Sequence, residues 1–193
     1  MDDIETARLI LRRLPPDAID AGLSGDREAV ERHLHAKVPT DLIEDPVVLQ
    51  FAKARLAEDP AYLPWSVRAL ILKASGEMVG HIRFHTRPDP DYLRCYAANA
   101  VEFGYVVFAA HRRHRYAREA VDGLMLWAER EHAISRFVVT IAPANLPSLQ
   151  LAARSGFRKI GQHVDPVDGV EAIYLRGARD VRPRTAAASR RWP

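Results

Sequence analysis

Hydrophobic positions along this chain repeat with two different periods, and the switches between them predict its elements. Over residues 6–14, Leu9 and Leu11 alternate with Arg8 and Arg12, the two-residue period of a half-buried strand, and Pro15-Pro16 ends it. Residues 17–23 predict a short helix. Residues 26–34 predict a second, capped by Asp26, with Ala29, Val30, His33 and Leu34 on one face. Asp45 is expected to cap a further helix from Pro46 to about Ala57, with the proline in its first turn. Residues 67–74 and 78–85 predict strands joined at Ser75-Gly76. Pro88, Pro90 and several polar residues break any period over 87–99, which predicts a loop. Residues 101–108 predict the next strand, and 116–132 a long helix with Ala117, Ala120, Val121, Leu124, Trp127 and Ala128 as its apolar stripe. A buried-type strand is expected over 137–142. Asn145 then caps a short helix that ends at Gly156, a residue suited to the left-handed position beyond a helix. Residues 158–164 and 170–175 flank Asp168-Gly169 as a last hairpin. Hairpins at both ends of a central strand–helix–strand unit argue for a mixed sheet with helices on its faces.

Composition narrows the picture. The 193 residues suffice for one domain and a tail, and no internal repeat is visible. No apolar run approaches the ~18 residues of a membrane span. The start, Met-Asp-Asp-Ile-Glu, lacks a signal peptide's hydrophobic stretch, and the single cysteine, Cys95, excludes an intrachain disulfide. These features lead us to expect a cytoplasmic protein with no membrane partner. The formal charge of +3 is unevenly placed. Residues 176–193 carry a net +5, so the remainder is mildly acidic at −2. We therefore expect a domain over 1–177 and a flexible tail over 178–193 that is rich in Arg, Ala and Pro. That tail is either a solvated extension or a contact for an acidic partner.

The segment that carries chemistry is Val101-Glu-Phe-Gly-Tyr-Val-Val-Phe-Ala-Ala-His-Arg-Arg-His-Arg-Tyr-Ala117. It reads as a strand, a basic turn and a helix start. A helix N-terminus offers unpaired N–H groups and partial positive charge. Five basic or titratable residues, His111, Arg112, Arg113, His114 and Arg115, stand just before it, which makes the turn a candidate cradle for a phosphorylated ligand.

Two motifs in order, Val101–Val107 with Arg112-x-x-x-Tyr116-Ala117-x-Glu119-Ala120, and Asn145-x-x-Ser148 leading to Ser155-Gly156-Phe157, resemble the GNAT acyltransferase superfamily and its Rim-type branch of ribosomal-protein N-acetyltransferases. The resemblance spans roughly residues 5–176 in element order. It implies an α/β (α+β) fold with a mixed, mostly antiparallel central sheet, helices on both faces, and a V-shaped splay between two central parallel strands. It also implies transfer of an acetyl or other acyl group from acyl-CoA to a primary amine by direct attack in a ternary complex. Acetyl-CoA would serve as co-substrate, without a metal. The donor would be held by Val106, Val107, Phe108, Arg112, Arg113, His114, Arg115, Tyr116, Ala117, Asn145 and Ser148. The family's loop usually carries glycine where Arg115 stands, and often where Arg113 stands. Arginine does not readily take positive φ. The loop is thus expected to keep its shape with Arg115 strained, or to flare and replace N–H contacts by guanidinium contacts, or Arg113 and Arg115 simply point to solvent.

Glu102 is the first candidate for general base, because a carboxylate buried within this strand has its proton affinity raised. The alternatives are a solvent-facing residue or a structural ion pair. Asp165 is the second candidate, or a turn residue. Many relatives protonate the departing thiolate with a tyrosine, but that position is Ala152, which leaves Ser148 as the candidate donor. Asn145 is expected to combine a cap with a contact to the CoA arm. Main-chain N–H groups near Val107 are expected to polarise the thioester carbonyl. His81, His85, His111 and His114 lack the company of a zinc site. Trp65 and Trp127 are expected in the core or a pocket wall, and Cys95 has no evident basic activator except Arg94. Two rivals stand beside the enzyme: a degenerate GNAT-like domain that binds CoA or a partner without catalysis, and a nucleic-acid binder, which the acidic body argues against. The amine, whether a small molecule or a protein N-terminus, and a homodimeric state are left open.

Overall fold

Strand β1 (Ile4–Glu5) pairs antiparallel with β2 (Leu9–Arg13), where the alternation buries Leu9 and Leu11 completely. The computed structural model describes residues 3–165 and 169–177. The expected tail over 178–193 and Asp168 of the last turn lie outside the described residues, as does the side chain of Asp165. The described residues divide into two compact units, one of residues 3–86 with 105–127, the other of residues 87–104 with 128–165 and 169–177.

In the first unit, β2 continues antiparallel into β3 (Arg68–Leu72) and β3 into β4 (Met78–Phe84). Between β2 and β3 come four helices, α1 (Pro16–Leu23), α2 (Arg27–Leu34), α3 (Thr40–Glu44) and α4 (Val47–Glu58), then a 3-10 turn (Pro60–Trp65). Asp26 caps α2 as expected, accepting from the Ala29 N–H at 2.9 Å. The expected Asp45 cap is corrected: α4 starts one residue later, Pro46 takes the cap position and no side chain serves it. Asp45 instead ends α3, a helix too short to show a period. Leu14, Ile19, Val30, Leu34, Leu42 and Leu49 form one apolar core with Ala69 and Ile71 of β3. A second layer joins Trp65, Phe84 and Trp127, with Trp65 buried and Trp127 half-buried. The buried Arg68 guanidinium lies 4.8 Å over the Trp127 ring.

Strand β5 (Ala100–Val107) runs through both units. Just beyond it, the Phe108 N–H donates to the Val79 carbonyl of β4 at 3.0 Å. A Cβ on Gly80 would stand 2.2 Å from the Val106 carbonyl oxygen, so the two strands meet at a spacing only glycine allows. Gly80→Ala should destabilise the protein by about 1–3 kcal/mol, read as a lower urea midpoint with an unchanged slope.

In the second unit, β5 pairs in parallel with β6 (Arg136–Ile141) through Ala100↔Arg136, Val101↔Phe137 and Glu102↔Val138. Strand β6 pairs antiparallel with β8 (Gly169–Arg176), and β8 with β7 (Arg158–Asp165). The sheet is thus mixed and mostly antiparallel. The segment predicted as a loop contains a one-turn helix, α5 (Asp91–Arg94). It is too short for periodicity to reveal. Helices α6 (Tyr116–His132) and α7 (Leu146–Arg154) fall where their patterns predict. Gly156 beyond α7 adopts φ +81°, as its position requires.

Candidate active site

The basic turn keeps its shape. Arg113 and Arg115 both take left-handed backbone, at φ 68° and 64°, where glycine would do so at less cost. The backbone strain expected at Arg115 is observed, and the side chains of Arg113 and Arg115 are exposed. The N–H groups of Arg113, His114 and Arg115 donate to no backbone carbonyl among the described residues. With the open first-turn N–H groups of α6, they form a row of donors suited to phosphate oxygens. The exposed side chains of Arg112, Arg113 and Arg115 surround that row with charge.

Local bonds hold the turn. His114 Nδ1 lies 2.9 Å from the Arg112 carbonyl and 3.2 Å from that of His111. Carbonyls only accept, so Nδ1 carries the proton. Arg112 Nε donates to the Val107 carbonyl at 3.1 Å, tying the turn back to β5. Val106 is exposed, Val107 half-buried, and Phe108 buried edge-on to His81. Tyr116 and Ala117 open α6, half-buried.

Glu119, in the first turn of α6, accepts from the Thr6 hydroxyl at 2.7 Å and from the Arg8 backbone N–H at 2.6 Å, and pairs with the Arg8 guanidinium at 2.7 Å. Partial burial disfavours its charge, but these donors outweigh that and hold its carboxyl below the usual range. The stability they add is present above the ordinary carboxylate pKa and is lost as pH falls through the depressed one.

In the second unit, Glu102 is fully buried, which rules out the solvent-facing reading. Tyr92 of α5 donates its hydroxyl to Glu102 Oε2 at 2.8 Å, and Thr140 of β6 donates to Oε1 at 2.7 Å. The segment bearing Tyr92 is pinned. Arg94 bridges Asp89 at 3.0 Å and also pairs with Asp91, and Asp89 accepts from the Asn99 N–H at 2.8 Å. That N–H, with Arg94, holds the Asp89 carboxyl below its usual range. Tyr92 and Thr140 escaped the sequence reading. Thr140 had one signal, a lone hydroxyl inside the apolar 137–141 run. Tyr92 had none, because its segment shows no period.

Asn145 caps α7, accepting from the Ser148 N–H at 3.2 Å. The Ser148 hydroxyl has no protein hydrogen-bond partner among the described residues and is half-buried. Ala152 is buried. Among the described residues no group of three or more His, Cys, Asp or Glu is placed to hold a metal, and no helix is long and apolar enough to cross a membrane.

The GNAT acetyltransferase domain model matches residues 8–158. The uncharacterized N-acetyltransferase YjdG of Bacillus subtilis is 24% identical over 158 residues, covering 80% of this chain and 88% of that one. A second Bacillus subtilis relative, YnaD, matches over about half of its own length. Among solved structures, a GnaT-family acetyltransferase of Bordetella pertussis superposes with a TM-score of 0.64 at 27% identity, covering 92% of this chain and all of that one. RimL, a ribosomal alpha-N-protein acetyltransferase in complex with coenzyme A, superposes at 0.60 and 15% identity over 91% of this chain and 98% of its own, a likeness of fold. The family model spans the strand–turn–helix and most of the chain, and leads to one conclusion: this chain belongs to the GNAT acetyltransferase family.

Proposed function

We propose that the protein transfers an acetyl or related acyl group from acyl-CoA to a primary amine, with Glu102 as general base. The observation that carries this reading is the buried Glu102 carboxylate held by two hydroxyl donors on a strand of the family's donor-binding motif. In the reaction, the amine nitrogen attacks the thioester carbonyl, a C–N bond forms and the C–S bond breaks. The nitrogen's proton passes to Glu102, directly or through water, and the thiolate of CoA takes a proton on leaving. Ser148, whose hydroxyl is uncommitted, is the donor we assign to that thiolate.

The chemistry asks little of the base when the amine is an α-amine. Deprotonating a lysine near pKa ~10.4 at pH 7 costs about 4–5 kcal/mol, against about 1 kcal/mol for an α-amine near ~8. Positioning of two bound reactants supplies roughly 7–11 kcal/mol. We assign the open N–H groups of residues 113–115 to the phosphates of CoA, and Asn145 to its amide arm. Location in the cytoplasm is part of this proposal.

Calorimetry with acetyl-CoA tests it. Binding with micromolar affinity, followed by acyl transfer to a panel of amines, is the expected outcome. Binding without transfer to any amine, or no heat and no thermal shift at millimolar ligand, would favour the non-catalytic reading.

A further inference from the structure

We propose that Arg8 is a positioning residue for the phosphate loop, and that its grip on the loop is what lets arginine stand where glycine is usual. The inference rests on the donor-binding role assigned above to residues 112–117. It starts from one peptide plane. Arg8 Nη2 donates to the His114 carbonyl at 3.1 Å. A trans peptide is planar, so its C=O and N–H point in opposite directions. With the His114 oxygen held by Arg8, the N–H of Arg115 must point away from Arg8, among the open donors of the turn. The motion that would free Arg115 from its left-handed φ of 64° is a rotation of this same plane. Arg8 opposes that rotation.

Arg8 is itself fixed from three sides. Its Nε and Nη2 both lie 2.7 Å from Glu119 Oε2, so two edges of the guanidinium converge on one carboxylate oxygen. Its own backbone N–H donates to Glu119 Oε1 at 2.6 Å. Its guanidinium lies 4.7 Å over the Tyr116 ring, and the His114 imidazole stacks on Tyr116 at 5.4 Å and 14°. The β1–β2 turn that carries Arg8 is pressed against α6. Thr6 donates to Glu119 Oε1, and a Cβ on Gly123 would stand 2.6 Å from Thr6 Cγ2. The brace therefore runs from the first strands through Glu119 to the peptide between the two left-handed arginines. It has a second effect. A carboxylate in the first turn of α6 would repel a phosphate there, and Arg8 neutralises it.

A double-mutant cycle tests this. Coenzyme A binding is measured by calorimetry on the full chain as wild type, Arg8→Ala, Arg115→Gly and the pair. Glycine takes the left-handed conformation without help, so the loss caused by Arg8→Ala should depend on which residue stands at 115. We expect Arg8→Ala to weaken binding about 10-fold or more with Arg115 present, and less than about 3-fold in the Arg115→Gly background. Arg8→Lys, which keeps charge and loses the fork, should fall with Arg8→Ala. Equal losses in both backgrounds would mean that Arg8 acts as a remote charge or through stability, and would overturn the proposal. No loss would do the same. If Arg8→Ala does not fold, Glu119→Gln releases the guanidinium at constant volume and should show the same dependence on residue 115. Should wild type not bind coenzyme A, the donor-binding reading fails, and the brace is then judged by trypsin. Cleavage after Arg113 or Arg115 should be faster in Arg8→Ala, and an unchanged rate would refute it.

Discussion

Glu102→Gln should lower acyl transfer by about 100- to 1,000-fold while leaving acetyl-CoA affinity within about twofold. The side chain is buried with both oxygens engaged, by Tyr92 and by Thr140. Glutamine keeps the volume and one acceptor oxygen but cannot take a proton from the attacking amine. Its amide nitrogen would face one of the two hydroxyls, each of which can turn to accept instead of donate. The expected loss is therefore in kcat more than in fold. Steady-state kinetics with an accepted amine, beside calorimetry of the same variant, decides the matter. Turnover equal to wild type would remove Glu102 from the mechanism. A parallel collapse of donor binding and thermal midpoint would mark it as structural. Tyr92→Phe and Thr140→Val should each cost less, because one donor would still hold the carboxylate.

Acidification from pH 7 to pH 5 should cost the fold about 2 kcal/mol through His81 alone. Burial, and then the positive charge of Arg83, lower the His81 pKa from 6.5 to about 4. Its ring lies edge-on to Phe108 at 6.2 Å, and its Nδ1 has no hydrogen-bond partner among the described residues. The unfolded chain binds a proton near pH 6.5, whereas the folded chain refuses it until near pH 4. Stability from this source is complete above 6.5 and lost as pH falls toward 4, for a total of about 3 kcal/mol. Urea unfolding at pH 7, 6 and 5 measures the slope. His81→Leu, which keeps an apolar contact with Phe108 and cannot titrate, should flatten it. Equal slopes in the two proteins would show that His81 is not the titrating group.

Long elements were legible because their periods extend over enough residues. The α6 stripe from Ala117 to Ala128 and the apolar run of β6 each occupy the positions their patterns predict. So did the caps at Asp26 and Asn145, where a short acceptor side chain precedes an apolar run. Helices α3 and α5, of five and four residues, were not legible, because one turn cannot display a 3.6-residue repeat. Asp45 misled because an acceptor before a proline-led helix also suits the end of the helix before it.

The family and the two motifs that mark it were legible from residue order alone, since local backbone geometry and helix polarity follow from nearby residues. The arginines at 113 and 115 were visible as a departure, but their left-handed conformation was not. That depends on Arg8, more than 100 positions away in the chain, which grips the peptide between them. In the same way, Glu102 was visible as a candidate, while its burial and its two hydroxyl partners came from α5 and β6. Sequence determines which groups the chain can offer; their partners, and with them orientation and charge state, are decided only when folding brings distant residues into hydrogen-bond range.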